Sequence, residues 1–295
     1  MKKVYGWLIL CVTIWGSNFV IGKILVQDFS PAVVTSIRLL FITVFLLFFL
    51  FIKEKTIFFS LTKRDWGYVG LLGIIGIFIN QWSFFIGLET ADSTTSAIIL
   101  ATTPVFTSIL AFLFLKERIN LSTIFGLGLA ISGVYVVTSA KTGVLSLDSG
   151  LWWITLTMVT FSIMIIMTRF LTLRIDPLIL TVYSNVIGFL VSVPFIWTDQ
   201  AFRVSNRIDL WLLLIISGII VHGVCNLIWN YQIKNIQAFK ASMLSNLEPF
   251  IAMVSGFFLL QKPILLTQVV GAIFILIGVF LSTREKKVFF RGVQQ

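Results

Sequence analysis

Polar residues break this chain into continuous apolar runs, each about 20 residues long, the length a helix needs to cross a bilayer. The runs predict helices at 4–26, 31–52, 67–88, 93–115, 120–139, 150–171, 177–198, 210–231, 238–260 and 265–283. Alternating strands of a membrane barrel would show a period of two, which is absent here. Pro31 and Pro177 each open the second helix of a half, where a missing N–H does no harm. The expected fold is an all-α integral membrane protein with ten transmembrane helices.

The pattern is written twice. A shift of 145 positions carries Trp66 onto Trp211, Gly73 onto Gly218, Pro104 onto Pro249, Phe112 onto Phe257, Gly126 onto Gly271 and Gly133-Val134 onto Gly278-Val279. Tryptophan, proline and glycine are scarce and costly in the wrong place, so their fixed offset marks a repeated structural unit. The expected units are residues 1–140 and 150–283, followed by a basic tail at 284–295. Five helices per half is an odd number. The second unit therefore enters the membrane from the opposite side, which predicts two inverted repeats.

Composition agrees. The chain has 295 residues, 58% hydrophobic and 12% charged, against about 25% charged in a soluble domain. It could not cover a water-facing surface. The first run, from Val4 to Val26, lacks a small-residue cleavage site and reads as a retained helix rather than a signal peptide.

The net charge of +10 is distributed by side. One side receives Lys2, Lys3, Lys53, Lys55, Lys63, Arg64, Lys116, Arg118, Arg169, Arg174, Lys234, Lys240, Arg284, Lys286, Lys287 and Arg291. The other receives Lys141, Arg203, Arg207 and Lys262. Basic residues stay cytoplasmic, so both termini are expected in the cytoplasm of a multi-pass protein of the cell membrane. The charge is a topology signal and not a nucleic-acid footprint. Cys11 and Cys225 lie inside apolar runs and read as small buried side chains; with one histidine they do not make a zinc site. No cofactor is expected, and the oligomeric state is not legible.

Polar side chains at membrane depth carry the candidate chemistry. An ionisable residue there costs roughly 2.5–3.5 kcal/mol on insertion scales and needs a reason. Glu248, near the middle of its run, is a candidate proton or cation site, or else a structural carboxyl beside Pro249. Ser242, Ser245, Asn246 and Pro249 fall on one helical face; so do His222, Cys225, Asn226, Trp229 and Asn230. Such stripes face either a cavity or a packed neighbour, because Ser and Asn also bond helices together. Asn80 and Gln81 fall on Cys225 and Asn226 at the same offset, and Thr103 falls on Glu248. Trp15, Asn18, Trp82 and Trp229 complete the candidate cavity, and His222 joins Glu248 as a candidate for ion coupling. Trp152 reads as an interface residue. Lys23 reads as a snorkelling residue and Arg38 as a fixer of helix packing.

Ile14-Trp15-Gly16-Ser17-Asn18-Phe19, Gly22-Lys23, Ser30-Pro31 and Arg38 resemble the first two helices of the EamA family of the drug/metabolite transporter superfamily. Thr103-Pro104-Val105-Phe106 with Leu115-Lys116-Glu117-Arg118 resembles its fourth helix, and Leu247-Glu248-Pro249-Phe250 the matching motif of the second half. The chain departs from the family at Gln261-Lys262-Pro263, where a glutamate is common. The resemblance implies two inverted five-helix repeats, a central cavity, and export of amino acids, other metabolites or drugs.

The function expected is secondary active export of a small amphipathic metabolite (amino acid-like, amine or drug-like) by alternating access, with protons as the candidate coupling ion. The partners expected are that substrate and the lipid bilayer. A membrane enzyme acting on a lipid or isoprenoid is the alternative, but Asp28, Asp65, Asp92, Asp148, Asp176, Asp199 and Asp209 are scattered at loops and unpaired. A passive channel or scaffold is the third reading; no charged ring supports it. No phosphate-binding loop is present, so the chain is not expected to hydrolyse ATP, or to be an enzyme.

Overall fold

The computed structural model describes residues 2–53, 61–91, 96, 99–116, 121–139, 149–197, 202–260 and 266–283, and among them every regular element is helical. Glu117, Arg118, Lys141, Lys262, Pro263 and the tail at 284–295 lie outside the described residues. In chain order the helices are α1 (Lys2–Asp28), α2 (Pro31–Lys53), α3 (Lys63–Thr90), α4 (Thr103–Leu115) and α5 (Leu121–Ser139). Then follow α6 (Ser149–Leu171), α7 (Pro177–Trp197), α8 (Ile208–Ile233), α9 (Ala238–Leu260) and α10 (Leu266–Thr283). Six of them, α1, α2, α3, α6, α7 and α8, contain stretches long and apolar enough to cross a membrane. Shorter apolar stretches occur in α4, α5 and α10. This is a multi-pass membrane protein.

Local signals place the helix starts. Thr62 caps α3 by accepting from the Asp65 N–H at 3.2 Å. Asp176 caps α7, its Oδ1 accepting from Leu178 N–H at 2.8 Å, with Pro177 as the first helical residue. Lys116 closes α4 in the left-handed conformation (φ 54°), donating its N–H to Ala111.

Three helices are not continuous α-helix. A π-helical segment interrupts α3 at Leu72–Ile79 and another interrupts α8 at Gly218–Val224. Their last residues stand 145 positions apart, the offset of the sequence repeat. In α9 a 3-10 turn at Ser245–Leu247 separates Ala238–Leu244 from Glu248–Leu260. The span 93–115 is likewise interrupted: Ile99 and Leu100 are helical, Ala101 and Thr102 form a turn, and α4 begins at Thr103. The unbroken helices read from hydropathy at 93–115 and 238–260 are thus corrected. Proline is the cause. Pro104 and Pro249 lack the N–H that would bond back to Leu100 and Ser245, and their rings crowd those same carbonyls.

Packing follows the repeat. α5 lies along α10 and α2 along α7; α1 packs on the Glu248–Leu260 part of α9, and α4 on α6. Each of these pairs joins equivalent or exchanged members of the two sequence units. At the α5–α10 contact a Cβ on Gly133 would stand 2.5 Å from the Gly271 carbonyl oxygen. A Cβ on Gly278 would stand 2.5 Å from the Gly126 carbonyl oxygen. The two contacts are reciprocal, and only hydrogen fits at either. Gly16 makes a similar approach from α1 to Ile251 and the Glu248 carbonyl of α9. Much of the outer surface is apolar: Phe48, Phe51, Phe112, Phe125, Trp152, Trp197 and Phe280 are exposed, as suits a lipid-facing exterior.

Candidate functional site

A cavity opens where α1, α3, α6, α8 and α9 meet. Its walls are formed by Trp15, Asn18 and Phe19 of α1, Gly76, Ile77, Asn80, Gln81, Phe84 and Phe85 of α3, and Thr157, Phe161 and Met164 of α6. Leu100 just before α4, His222 and Asn226 of α8, and Glu248 of α9 complete them. With all the space out to its open mouth counted, it takes in about 640 Å³.

The interruptions aim residues into this space. The α3 π segment presents Gly76 and Ile77, and the α8 π segment presents His222. Residues Ile77 and His222 are repeat counterparts, as are Gln81 and Asn226. A π turn shifts the helical phase and often marks a functional position. The α8 π segment also exposes a carbonyl: Val221 accepts from Trp15 Nε1 at 2.7 Å. In α9 the 3-10 turn makes Glu248 the first residue of the second half-helix, rather than mid-helix as expected from the sequence. A helix N-terminus favours negative charge. Glu248 is buried (6% exposed), and its Oε1 has no hydrogen-bond partner. Gln81 is also buried with neither amide atom partnered.

Seven of the sequence-derived candidates stand on the wall: Trp15, Asn18, Asn80, Gln81, His222, Asn226 and Glu248. The other seven lie off it. Trp82 stacks on Phe78 (5.6 Å) and meets Phe195 (5.0 Å) and Trp153 (5.4 Å). Trp229 stands behind Trp15 at 4.8 Å. Asn230 donates to Thr181 Oγ1 of α7 at 2.8 Å, a bond between helices. Ser242 donates to the Phe239 carbonyl at 2.8 Å. Thr103, Ser245 and Asn246 are buried with unpartnered side chains, away from the cavity. The reason is geometric. A stripe drawn at 3.6 residues per turn loses phase by about 20° per residue across the 3-10 turn at Ser245–Leu247, so the face read through Ser245 and Asn246 is not the one that the cavity meets.

Hydropathy patterning missed the aromatic and aliphatic wall of Phe19, Ile77, Phe84, Phe85, Phe161 and Met164, which looks like ordinary core. Phe19 meets Phe84 edge-on at 5.3 Å, and Trp15 meets Phe161 at 6.0 Å. Asn80 is partly held by α6, donating to the Thr157 carbonyl at 2.9 Å and to Thr160 Oγ1 at 3.0 Å.

Arg38 stands behind the wall, fully buried. It donates through Nη1 to Asn18 Oδ1 at 3.0 Å and through Nη2 to His222 Nδ1 at 3.1 Å. Its guanidinium carbon lies 5.2 Å from the Phe85 ring centre. It thus ties α2 to α1, α3 and α8, the packing role read from the sequence. Lys23 differs from its expected snorkelling. Its Nζ donates to the Leu88 (2.7 Å) and Ala91 (3.2 Å) carbonyls at the C-terminal end of α3. Arg203 pairs with Glu89 at that same end and donates to Val26. Cys11 and Cys225 are buried free thiols, Cys11 Sγ donating to the Cys225 carbonyl at 3.5 Å. No cluster of metal-ligating side chains occurs among the described residues.

A multi-pass helical protein with a part-polar, part-aromatic cavity between its two sequence units has the form of a membrane transporter. The chain belongs to the EamA-like transporter family, whose model matches it twice, over residues 2–139 and 148–284. It is 24% identical to the Bacillus subtilis (strain 168) protein named uncharacterized transporter YetK, over 96% of this chain and 87% of that one. It is 26% identical to an uncharacterized transporter of Archaeoglobus fulgidus, over 97% of this chain and all of the relative. YyaM of B. subtilis, also named an uncharacterized transporter, is 29% identical over 91% and 89%. One solved crystal structure superposes with a TM-score of 0.78, covering 94% of this chain and 95% of its own, at 14% identity. That likeness speaks to fold alone.

Proposed function

We propose that this chain is a secondary active transporter that exports a small amphipathic metabolite, amino acid-like, amine or drug-like, by alternating access. Ten transmembrane helices form two inverted five-helix repeats, residues 1–140 and 150–283. The chain sits in the cell membrane with both termini and the tail at 284–295 in the cytoplasm, as the basic-residue asymmetry favours. The observation that carries the reading is the cavity, lined by repeat counterparts of α3 and α8 and closed by Glu248 at a broken helix. Two halves built alike and facing opposite ways pack with similar energy whether the space opens inward or outward.

Glu248 is the coupling group: a buried carboxyl with a free oxygen takes and releases a proton as the cavity changes sides. His222 is not, because Arg38 occupies its Nδ1. The aromatic wall takes the apolar body of the substrate; Asn18, Gln81 and Asn226 orient its polar end.

The test is a metabolite profile of the medium around cells expressing the wild type or Glu248→Gln at equal membrane level. A compound that accumulates outside with the wild type alone, and whose flux in vesicles follows an imposed proton gradient, is the expected result. Equal export by both removes Glu248 from the mechanism. Flux indifferent to the gradient removes proton coupling.

A further inference from the structure

We infer that Arg38 is a positioning residue that fixes His222 in a single tautomer and makes the α8 wall of the cavity a hydrogen-bond donor. That wall is specific for substrates carrying an acceptor, a carboxylate or a carbonyl, at one end. Only the substrate clause rests on the transport reading.

A guanidinium has five N–H donors and no acceptor. The contact between Arg38 Nη2 and His222 Nδ1 at 3.1 Å is a hydrogen bond only if Nδ1 carries no proton. The ring is then neutral, and its proton sits on Nε2, at the opposite edge. His222 lines the cavity while Arg38 stands behind it. The nitrogen left over is the one available to a bound molecule, and it donates. Such outer partners commonly set which histidine nitrogen does the work.

Arg38 is itself held on two sides, with its buried Nε left without a partner. It is 0% exposed, held through Nη1 by Asn18 Oδ1 and flanked by the Phe85 ring. Its contacts with Asn18, His222 and Phe85 include no carboxylate, and the other buried charged side chain among the described residues, Glu248, stands on the cavity wall. The cavity therefore has two unlike poles. A buried cation backs the α1–α8 side through Asn18 and His222, and a carboxyl with one free oxygen closes the α9 side. An acceptor group is favoured at the first pole and is opposed at the second. The first sequence unit has Ile77 where the second has His222, so this pole belongs to one half alone.

The chain has a single histidine, which makes the test direct. Purified protein labelled with 15N-histidine in detergent or nanodiscs gives one imidazole spin system. The expected long-range proton–nitrogen pattern is a pyridine-type Nδ1 and a pyrrole-type Nε2. The opposite tautomer, or a doubly protonated ring at pH 7, overturns the inference, whatever transport assays show. Arg38→Met keeps the bulk and removes every donor. In protein that stays monodisperse, the signal is expected to move to a mixture of tautomers; an unchanged pattern would show that Arg38 does not set the tautomer. Should the variant not fold, the wild-type pattern decides alone.

For the acceptor end the probes are phenylacetate and phenethylamine, which share an aromatic body and differ in the polar end. Phenylacetate is expected to shift the Nε2 proton on titration and phenethylamine to leave it in place. A shift with the amine and none with the acid overturns the specificity claim.

Discussion

The α5–α10 contact and the α3–α8 pair are built from the same sequence repeat and have gone opposite ways. At α5–α10 the two units are equal. Gly133 rests on Gly271 as Gly278 rests on Gly126, with no room for a Cβ on either side. Around the cavity the units share a frame and differ in chemistry. Both π segments end at the same repeat position, yet one presents Ile77 and the other His222. Both broken helices resume at the same position, yet one resumes with Thr103 and the other with Glu248. Backbone-to-backbone packing leaves no freedom to diverge, because any side chain is an obstruction. A binding site requires divergence, because a symmetric cavity would offer a lopsided substrate two equivalent poses.

The equality at α5–α10 should be the harder to break. Gly133→Leu or Gly278→Leu drives a side chain into backbone atoms 2.5–2.7 Å from the new Cβ. The expected cost is about 3 kcal/mol or more, read as loss of the monodisperse peak in size-exclusion chromatography. Gly128 faces open space on the same helix, so Gly128→Leu should elute as the wild type does. If both pairs behaved alike, the reciprocal glycine contact would not be what holds these helices.

The divergence at the cavity is tested by giving each second-half residue its first-half counterpart. Glu248→Thr is expected to lower export at least tenfold while raising stability by about 1 kcal/mol, since a buried oxygen without a partner is removed. Flux in vesicles and a thermal melt followed by tryptophan fluorescence read the two effects on one preparation. A variant that loses both flux and stability would make Glu248 a structural residue. His222→Ile leaves Arg38 Nη2 buried without its acceptor, at a cost of about 2 kcal/mol. Ile77→His at the matching site lacks an arginine behind it and should gain nothing in return.

The frame of this molecule was far more legible than its site, for a physical reason. Helix positions follow from apolar run length, and the repeat shows in tryptophan, proline and glycine because those residues tolerate few alternatives. Periodicity assumes one helical pitch throughout. Where α9 tightens into a 3-10 turn and α8 widens into a π turn, a stripe read at 3.6 residues per turn points the wrong way. Ser245 and Asn246, inside that 3-10 turn, were therefore assigned to a wall that they do not reach; Ser242 lies before the turn, and Trp229 and Asn230 lie a turn beyond Asn226 in one α segment, off the wall along the axis rather than by phase. Pro104 and Pro249 were visible markers of the breaks. Their effect on phase needed the backbone to be seen. Arg38 announced that it needed a partner, but nothing local pointed to a histidine 184 positions away. The aromatic wall carried no signal, because rings facing a cavity and rings facing a core obey the same pattern.

The smallest effect is expected at the rim of the molecule, away from the cavity. Lys23 donates to the Leu88 and Ala91 carbonyls and so closes the C-terminal end of α3, where a helix favours positive charge. Lys23→Thr should therefore fray the end of α3 without touching the cavity. The expected loss is about 1 kcal/mol or less, because Arg203 still holds the same end through Glu89. Hydrogen exchange at Leu88 to Ala91 should rise, with flux nearly unchanged. If flux fell while exchange stayed slow, Lys23 would act on the moving substrate rather than on the end of α3. The double variant Lys23→Thr with Arg203→Gln sharpens the point: both cations that reach the end of α3, Lys23 at its carbonyls and Arg203 at the Glu89 carboxylate, are gone, and the loss should exceed the sum of the two single losses only if each substitutes for the other in holding α3.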